Sequence, residues 1–365
     1  MRGGASIEHE AHVAEAIPRP WRLVDYLKER LVAVPVTEIG NLITSGCVRI
    51  GTPGAVGRTM DMVACGDRIT IERAALESLR LRGRWNPPWD HVPDVLYEDD
   101  DLLVVHKNAG LHVHPLGDHR ECTLVGALLH RAGLREQEPW AAWRPHVVQR
   151  LDCVVSGLLV VAKGAVSKAA LVRVQKAGRL ERRYLAVVDG CVGDDDGVID
   201  APVGRDEARG WRRAIVREER GGERAITRWR IVARLAHRTI VELEPETGRT
   251  HQLRVHLASI GHPIAGDVLY GGSRLDAFAA RDGEAVEAAA MSIPADLVPA
   301  PDERLGNLVR PIALHARRIS LQHPRLGTTI DVEHEPCGRA FALAAGEEWA
   351  NAARSALACR PPPSI

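Results

Sequence analysis

No stretch of this 365-residue chain reaches the roughly 20 consecutive apolar residues that a membrane-spanning helix needs. There is no excess charge either: 48 Lys and Arg balance 48 Asp and Glu, so a nucleic-acid partner would have to be held by local basic patches. The seven cysteines (Cys47, Cys65, Cys122, Cys153, Cys191, Cys337 and Cys359) form no C-x-x-C pair. That argues against a zinc ribbon or a disulfide framework and suits a reducing cytoplasm. The first residues carry acidic side chains before any apolar run, unlike a signal peptide. No glycine-rich phosphate loop is present. Ser156, in Val154-Val155-Ser156-Gly157-Leu158, lacks the first glycine of a nucleophile elbow, which argues against a serine hydrolase. His112, His114 and His119 lie close in sequence, but no carboxylate or cysteine cluster completes a metal site around them. A soluble cytoplasmic protein without a metal is expected.

What is present fits two domains, with 45% hydrophobic and 26% charged residues. Residues 1–17 read as a loose tail. Residues 18–80 then read as a small unit. Leu23, Leu27 and Leu31 make one helix face, and Val36 to Ser45 a second helix with Ile39, Leu42 and Ile43 inward. Val48 to Ile50 is a strand, and Gly66 to Glu72 a turn and strand. This order resembles the α-L RNA-binding domain of ribosomal proteins, although Thr37 to Thr44 carries no Arg or Lys to meet phosphates. A Pro-rich linker at 81–92, with Arg84-Trp85-Asn86-Pro87-Pro88-Trp89, leads to a larger domain at 93–340. There, strands are predicted around the acidic turn Glu98 to Asp101, after Gly157, and over Tyr184 to Val188, Thr227 to Leu235, Thr239 to Glu244, Ile312 to Leu321 and Thr328 to Val332. Helices are predicted over Val166 to Ala177 and Arg249 to Ile260, with an insertion at about 273–308 and a C-terminal tail at 341–365. Many strands and few helices, without regular alternation, indicate an α+β fold with a mixed or antiparallel sheet.

The chemistry centres on Arg150-Leu151-Asp152, where a carboxylate immediately precedes an apolar strand. A carboxylate at such a place is costly unless a cation or donors hold it. Arg254, on a helix with an apolar partner face, is suited to pair with it and keep it ionised and aimed. Tyr184, one of four tyrosines, could stack on a planar substrate while its hydroxyl reaches a proton.

Four segments in order carry a resemblance. They are Gln149-Arg150-Leu151-Asp152 running on to Ser156-Gly157-Leu158; Arg182-Arg183-Tyr184; Gly248-Arg249-Thr250-His251-Gln252-Leu253-Arg254-Val255-His256 with Gly261-His262-Pro263-Ile264-Ala265-Gly266-Asp267; and Leu314-His315-Ala316. The set is similar to the RluA/RluD-type pseudouridine synthases over roughly residues 90 to 335. An α-L-like unit is the usual accessory domain of that family. The resemblance implies an isomerase acting on ribosomal or transfer RNA, which detaches uracil from ribose at N1, turns it, and rejoins it through C5. It implies Asp152 as nucleophile, Arg254 as its partner, Tyr184 stacked on the uracil, and Arg150 in the space that the flipped base vacates. It also implies substrate contacts from Arg249, His251, Gln252 and Leu314, a monomer, and no cofactor or metal. The segment from Arg205 to Arg230, with nine arginines against five acids, could grip phosphates or form a solvated hairpin with internal ion pairs. Gln149, Val155, Asn108 and Arg182 replace the family's usual His, Thr, Pro and Lys. Those changes leave an alternative open, an RNA-binding or ribosome-assembly protein on the same scaffold that has lost catalysis.

Overall fold

The computed structural model describes residues 9–14, 20–51, 55–83, 85–115, 122–134, 139–275, 311–336 and 339–346. The expectations at Pro18, Arg84, His119, Cys337 and Cys359, for most of the 273–308 insertion and for the tail beyond 346 lie outside these residues. Contacts divide the chain into two compact units. One comprises Met1–Pro93, His114–His146 and Ala162–Val166; the other comprises Asp94–Val113, Val147–Val161 and Ser167–Ile365.

In the first unit, β1 (His9–Val13), β2 (Trp21–Arg22), α1 (Leu23–Arg30), α2 (Val36–Thr44), β3 (Val48–Ile50), β4 (Ala55–Val56), β5 (Met62–Val63), β6 (Arg68–Glu72) and α3 (Arg73–Leu81) follow in order. A four-stranded sheet runs β1-β6-β3-β4. The strand β1 falls within the expected loose tail. It has no alternating apolar pattern, and its place comes from tertiary contacts. It pairs antiparallel with β6 from His9↔Glu72 to Val13↔Arg68, while His12 stacks on Trp140 at 4.3 Å and its Nε2 lies 2.8 Å from the Tyr26 hydroxyl. Leu23 and Leu27 of α1 and Ile39, Leu42 and Ile43 of α2 are buried, as their spacing predicts. One apolar cluster unites them with Ile69 and Ile71 of β6 and with Leu129, Ala132, Leu134, Trp140 and Ala141. The unit therefore does not end at the linear boundary expected near residues 81–92. Leu129, Ala132, Leu134, Trp140 and Ala141 complete its core, entered through α4 (Leu124–Arg131), which is capped by Thr123 accepting the Gly126 N–H at 3.1 Å.

The second unit holds the large sheet. Its strands are β7 (Asp94–Glu98), β8 (Leu102–Lys107), β10 (Ser156–Lys163, after the short β9, Pro145–Val147), β11 (Leu180–Asp189), β12 (Asp196–Asp200), β15 (Ile226–Arg234), β16 (Arg238–Pro245), β17 (Leu314–Gln322) and β18 (Thr329–Glu333). A separate hairpin is formed by β13 (Val203–Arg205) and β14 (Arg213–Ile215). The sheet order is β12-β15-β16-β11-β17-β10-β8-β7, with β18 added on β17. The β10–β17 pair is parallel while β11 is antiparallel to both β16 and β17, so the sheet is mixed. With α5 (Ala165–Lys176) and α6 (Gln252–Ser259) the architecture is α+β. All of β8 is buried and β10 is buried up to its last residue, as expected of unbroken apolar runs covered on both faces.

Two backbone details position the site. Gly157, the second residue of β10, lies at φ +120, and a Cβ there would stand 2.4 Å from the backbone N and O of Ala316 on β17. Only glycine permits that approach. The predicted helix over Arg249 to Ile260 begins three residues late, because His251 takes the left-handed conformation (φ 57) and caps α6. No helix among the described residues is long and apolar enough to cross a membrane.

Candidate active site

At one side of this sheet a cleft of about 220 Å³ is lined by Val148 to Asp152, by Arg182 and Tyr184 of β11, by Thr247 to Arg254, and by Leu314. Asp152 sits in the turn before β10, where its carbonyl accepts the Val155 N–H at 3.1 Å and its side chain remains 23% exposed. Its Oδ2 accepts from Arg254 Nη1 at 3.2 Å, and His251 Nε2 stands 3.7 Å from the same oxygen.

Arg254 is itself fixed from the other side. Its Nε and Nη2 donate to the two carboxylate oxygens of Asp267 at 2.7 and 2.9 Å, and its guanidinium lies 5.0 Å from the centre of the Tyr270 ring. Asp267 is only 1% exposed, so this fork-on-fork pair is sealed from water. Burial opposes the charge on Arg254, but the hydrogen bonds and charge of Asp267, with Asp152 behind them, outweigh it and raise its pKa above the usual value. Tyr270 also orders His251. Its hydroxyl accepts the Arg213 backbone N–H at 3.1 Å and lies 2.7 Å from His251 Nδ1. A hydroxyl that donates its proton to Nδ1 leaves the histidine proton on Nε2, the atom facing Asp152; the other tautomer would point a lone pair at the carboxylate. Burial lowers the His251 pKa against the pull of Asp152, so the ring is neutral near pH 7.

Tyr184 is buried at the point where the β11–β17 register shifts between Arg183 and Tyr184, a bulge of the kind that re-aims a side chain. Its hydroxyl makes no hydrogen bond among the described residues. Burial raises its pKa, with Arg182 opposing and Asp152 adding, so the phenol keeps its proton. Leu314 is buried at the start of β17. Arg150 is exposed and reaches Thr250 Oγ1 at 3.2 Å. Arg249 is tied by Nη1 to Glu223 at 2.5 Å and by Nε to the Arg224 carbonyl at 3.0 Å. Gln252 has no hydrogen-bonding capacity to spare on its donor side. Its amide donates to the Ile226 carbonyl and Thr227 Oγ1 while its oxygen accepts from Thr247 Oγ1 and the Arg249 N–H. It holds the Thr247–Arg249 turn in shape.

The expected site residues therefore meet at one cleft. Residues 101–259 match the family model described as RNA pseudouridylate synthase. The chain is 37% identical over 254 residues to ribosomal large subunit pseudouridine synthase D of Zymomonas mobilis, covering 70% of this chain and 78% of that protein. It is 36% identical to the uncharacterized RNA pseudouridine synthase YlyB of Bacillus subtilis, covering 81% and 84%. Against ribosomal large subunit pseudouridine synthase D of Pseudomonas aeruginosa it is 34% identical, covering 78% and 79%. The chain belongs to the RluA/RluD-type RNA pseudouridine synthase family. It is an isomerase that converts uridine to pseudouridine in RNA.

Three residues of the synthase that complete the geometry had no role in the sequence. Asp267 stood in a matching segment without an assigned partner, Lys107 lay outside the four segments, and Tyr270 differed from any surface tyrosine only in following Gly266-Asp267 closely. Lys107 is fully buried, and its ammonium donates to the carbonyls of Asn108, Leu111 and Cys153 at 2.9, 3.0 and 3.1 Å. Burial lowers its pKa to about 8, against the pull of Cys153 and Asp152. Since the Cys153 carbonyl also accepts the Gly110 N–H at 2.8 Å, the residue after Asp152 is held by two donors. The departures from the family pattern lie around this frame. Asn108 supplies a carbonyl to Lys107, Val155 is buried, and buried Gln149 lines the cleft with its Oε1 without a hydrogen-bond partner among the described residues. Ser156 Oγ, 2.9 Å from His315 Nδ1, ties the start of β10 to β17.

Two groups gather potential metal-ligating atoms, His106 with His315 and His334, and Asp99 with Asp101 and His323. In the first, the His106 and His334 rings stack at 4.0 Å with planes 17° apart, so their in-plane lone pairs lie in nearly parallel planes offset from one another, a poor arrangement for sharing one ion. In the second, His323 Nδ1 accepts the backbone N–H groups of Arg325 and Leu326, and Nε2 lies 2.8 Å from Asp99, joining the β7–β8 and β17–β18 turns.

Proposed function

We propose that the synthase acts on ribosomal RNA, with transfer RNA as the other candidate class, and uses Asp152 as its nucleophile. The observation that carries this reading is the position of Asp152, the only carboxylate among the described residues lining the cleft, against a buried arginine that a second carboxylate immobilises. Asp152 attacks the ribose or the base of a uridine turned out of its stack. The C1′–N1 bond breaks, the uracil rotates, and a C1′–C5 bond forms; the bond between the Asp152 oxygen and the nucleoside breaks again and returns the free carboxylate, C5 loses its proton and N1 ends with one, so the product is an isomer of the substrate. Arg254 keeps the carboxylate ionised and aimed. Tyr184 supplies a flat face for the uracil, and its protonated phenol assists proton movement. Leu314 closes the cleft floor, His251 flanks the nucleophile, and Arg249 and Gln252 shape the adjoining turn. Arg150, exposed at the rim, fills the space left by the flipped base. The relatives named for the large ribosomal subunit support the choice of RNA. The first unit, with its α-L-like order of elements, serves as an accessory RNA-binding domain whose helix α2 contributes little salt-dependent phosphate contact, since it carries no Lys or Arg.

Pseudouridine-specific chemical probing of ribosomal and transfer RNA from a strain lacking the gene tests this reading. At least one site should vanish, return with the intact gene and stay absent with Asp152→Asn. Full restoration by Asp152→Asn would overturn the assignment of the nucleophile, and an unchanged map would overturn the choice of RNA.

A further inference from the structure

We infer that Trp211, at the tip of the β13–β14 hairpin, is a stacking platform for an unpaired base of the substrate RNA next to the target uridine. This rests on the reading of the cleft as the site of uridine isomerisation. The hairpin is seated against the site. Val203 at its base belongs to a small apolar cluster with Val255 of α6 and Tyr270, and the Arg213 N–H donates to the Tyr270 hydroxyl at 3.1 Å. The guanidinium of Arg212 lies 5.1 Å from the Tyr270 ring centre, Tyr270 is 2.7 Å from His251, and His251 is 3.7 Å from Asp152. A continuous set of contacts therefore runs from the candidate nucleophile to the residue beside Trp211.

The tip is built rather than loose. Asp206 Oδ1 accepts the N–H groups of Ala208 and Arg209 at 2.9 and 3.3 Å, Arg212 N–H donates to the Arg209 carbonyl at 2.7 Å, and Asp206 N–H to the Arg212 carbonyl at 3.1 Å. On this ordered turn Trp211 is 59% exposed. A lone exposed aliphatic side chain needs no explanation. A tryptophan exposed on an ordered turn that joins the cleft through Tyr270 and His251 offers a flat partner a stacking face. Charge identifies the partner. From Arg205 to Arg213 four arginines face two acids, in a chain whose formal net charge is zero. An exposed aromatic residue in an arginine-rich turn, where Arg212 lies over Tyr270 and 3.8 Å from Asp206, matches single-stranded RNA, whose bases stack while its phosphates pair. Flipping a uridine unstacks its neighbour, and Trp211 receives that neighbour's open face.

Tritium release from total RNA of the deletion strain, labelled with [5-³H]uridine, reads the reaction because C5 loses its hydrogen. Base stacking on an aromatic is lost on truncation at roughly 5- to 150-fold in affinity. Trp211→Ala should raise KM by a factor in that range while the single-turnover rate at saturating RNA stays within about twofold. Trp211→Phe should keep most of the affinity. An unchanged KM in Trp211→Ala, or a fall in the saturated rate with KM unchanged, would overturn the inference. So would a change in sedimentation without a change in KM, since that would make Trp211 a contact between copies of the chain. Absence of release by the unaltered protein would overturn the underlying reading instead.

Discussion

Asp267 does not line the cleft, yet with Asp152 in its proposed role as nucleophile catalysis is expected to depend on it. It is the anchor of Arg254, and Arg254 is the anchor of Asp152. In Asp267→Asn the side chain keeps its shape but loses its charge, and one of its two acceptor oxygens becomes an amide that faces a guanidinium donor. Removing one partner of a buried ion pair costs about 3–5 kcal/mol, because the other charge stays buried and uncompensated. In this pair Asp152 remains 3.2 Å from Nη1 as a counter-charge, and one acceptor oxygen survives on the asparagine, so the lower end, about 3 kcal/mol, is expected. Neither Arg254 nor Asp267 is exposed enough for solvent to screen the pair, so the surface-pair discount does not apply.

Catalysis should fall for a separate reason. Without the fork the guanidinium can turn toward the remaining carboxylate, and a displacement of about 1 Å at a reacting group costs on the order of 10²-fold in rate. Urea unfolding reads the first effect as a lower midpoint at unchanged slope. Single-turnover tritium release, taken where the variant is still folded, reads the second. A destabilised protein with full turnover would mean that Arg254 does not orient Asp152. A protein of unchanged stability would mean that the pair contributes nothing that a neutral amide does not replace.

Two further outcomes follow from the sheet. Burial lowers the pKa of His106 and of His315 to about 3, so both are neutral in the folded chain while an unfolded histidine titrates near 6.5. The unfolded state then binds more protons between those values, and stability is constant above pH 6.5 and falls as pH drops toward 3. At pH 5 the loss is roughly 2 kcal/mol for each imidazole relative to pH 7, and because His106 Nε2 has no hydrogen-bond partner among the described residues, His106→Phe should recover about one such share at pH 5; urea curves at both values check this, and equal stability of the unaltered protein at pH 5 and 7 would refute it. Gly157→Ala should destabilise by more than about 3 kcal/mol, since the new Cβ meets backbone on β17 rather than a yielding side chain. A midpoint shift within the range of an ordinary surface substitution would refute the close approach of β10 to β17 at Ala316.

The core of the fold was legible where side-chain pattern governs structure. The spacing of Leu23 and Leu27, the unbroken run from Leu158 to Ala162 and the inward Leu171 and Val174 all lie where their periodicity puts them. Strand β1 was not legible, because the ladder to β6 and the stacking of His12 on Trp140 join positions far apart in sequence. The start of α6 was missed for a local reason. Nothing in Arg249-Thr250-His251 signals that a histidine will adopt φ 57, a conformation that a non-glycine residue holds only when its surroundings fix it. Those surroundings are Tyr270 at Nδ1 and Asp152 at Nε2, and neither is adjacent in sequence. In the site, residue types were legible and their pairing was not. Arg254 was expected to serve one carboxylate and serves two.

That second carboxylate resolves a chemical conflict. A nucleophilic carboxylate must be ionised and oriented, but a strong bidentate clamp would occupy both oxygens with short, charge-assisted hydrogen bonds and weaken their attack. In this site the bidentate clamp is given to Asp267, which has no reaction to perform and is sealed from solvent. Arg254 then offers Asp152 a single N–H at 3.2 Å, on Oδ2 alone. His251, neutral and 3.7 Å from that same oxygen, adds orientation without a second full charge. Lys107, which would be a competing cation, spends its three donors on carbonyls of the turn beside Asp152 and so positions the backbone rather than the carboxylate. No hydrogen bond among the described residues engages Oδ1 of Asp152, and in the proposed role of Asp152 as nucleophile it is the oxygen this arrangement leaves free to attack.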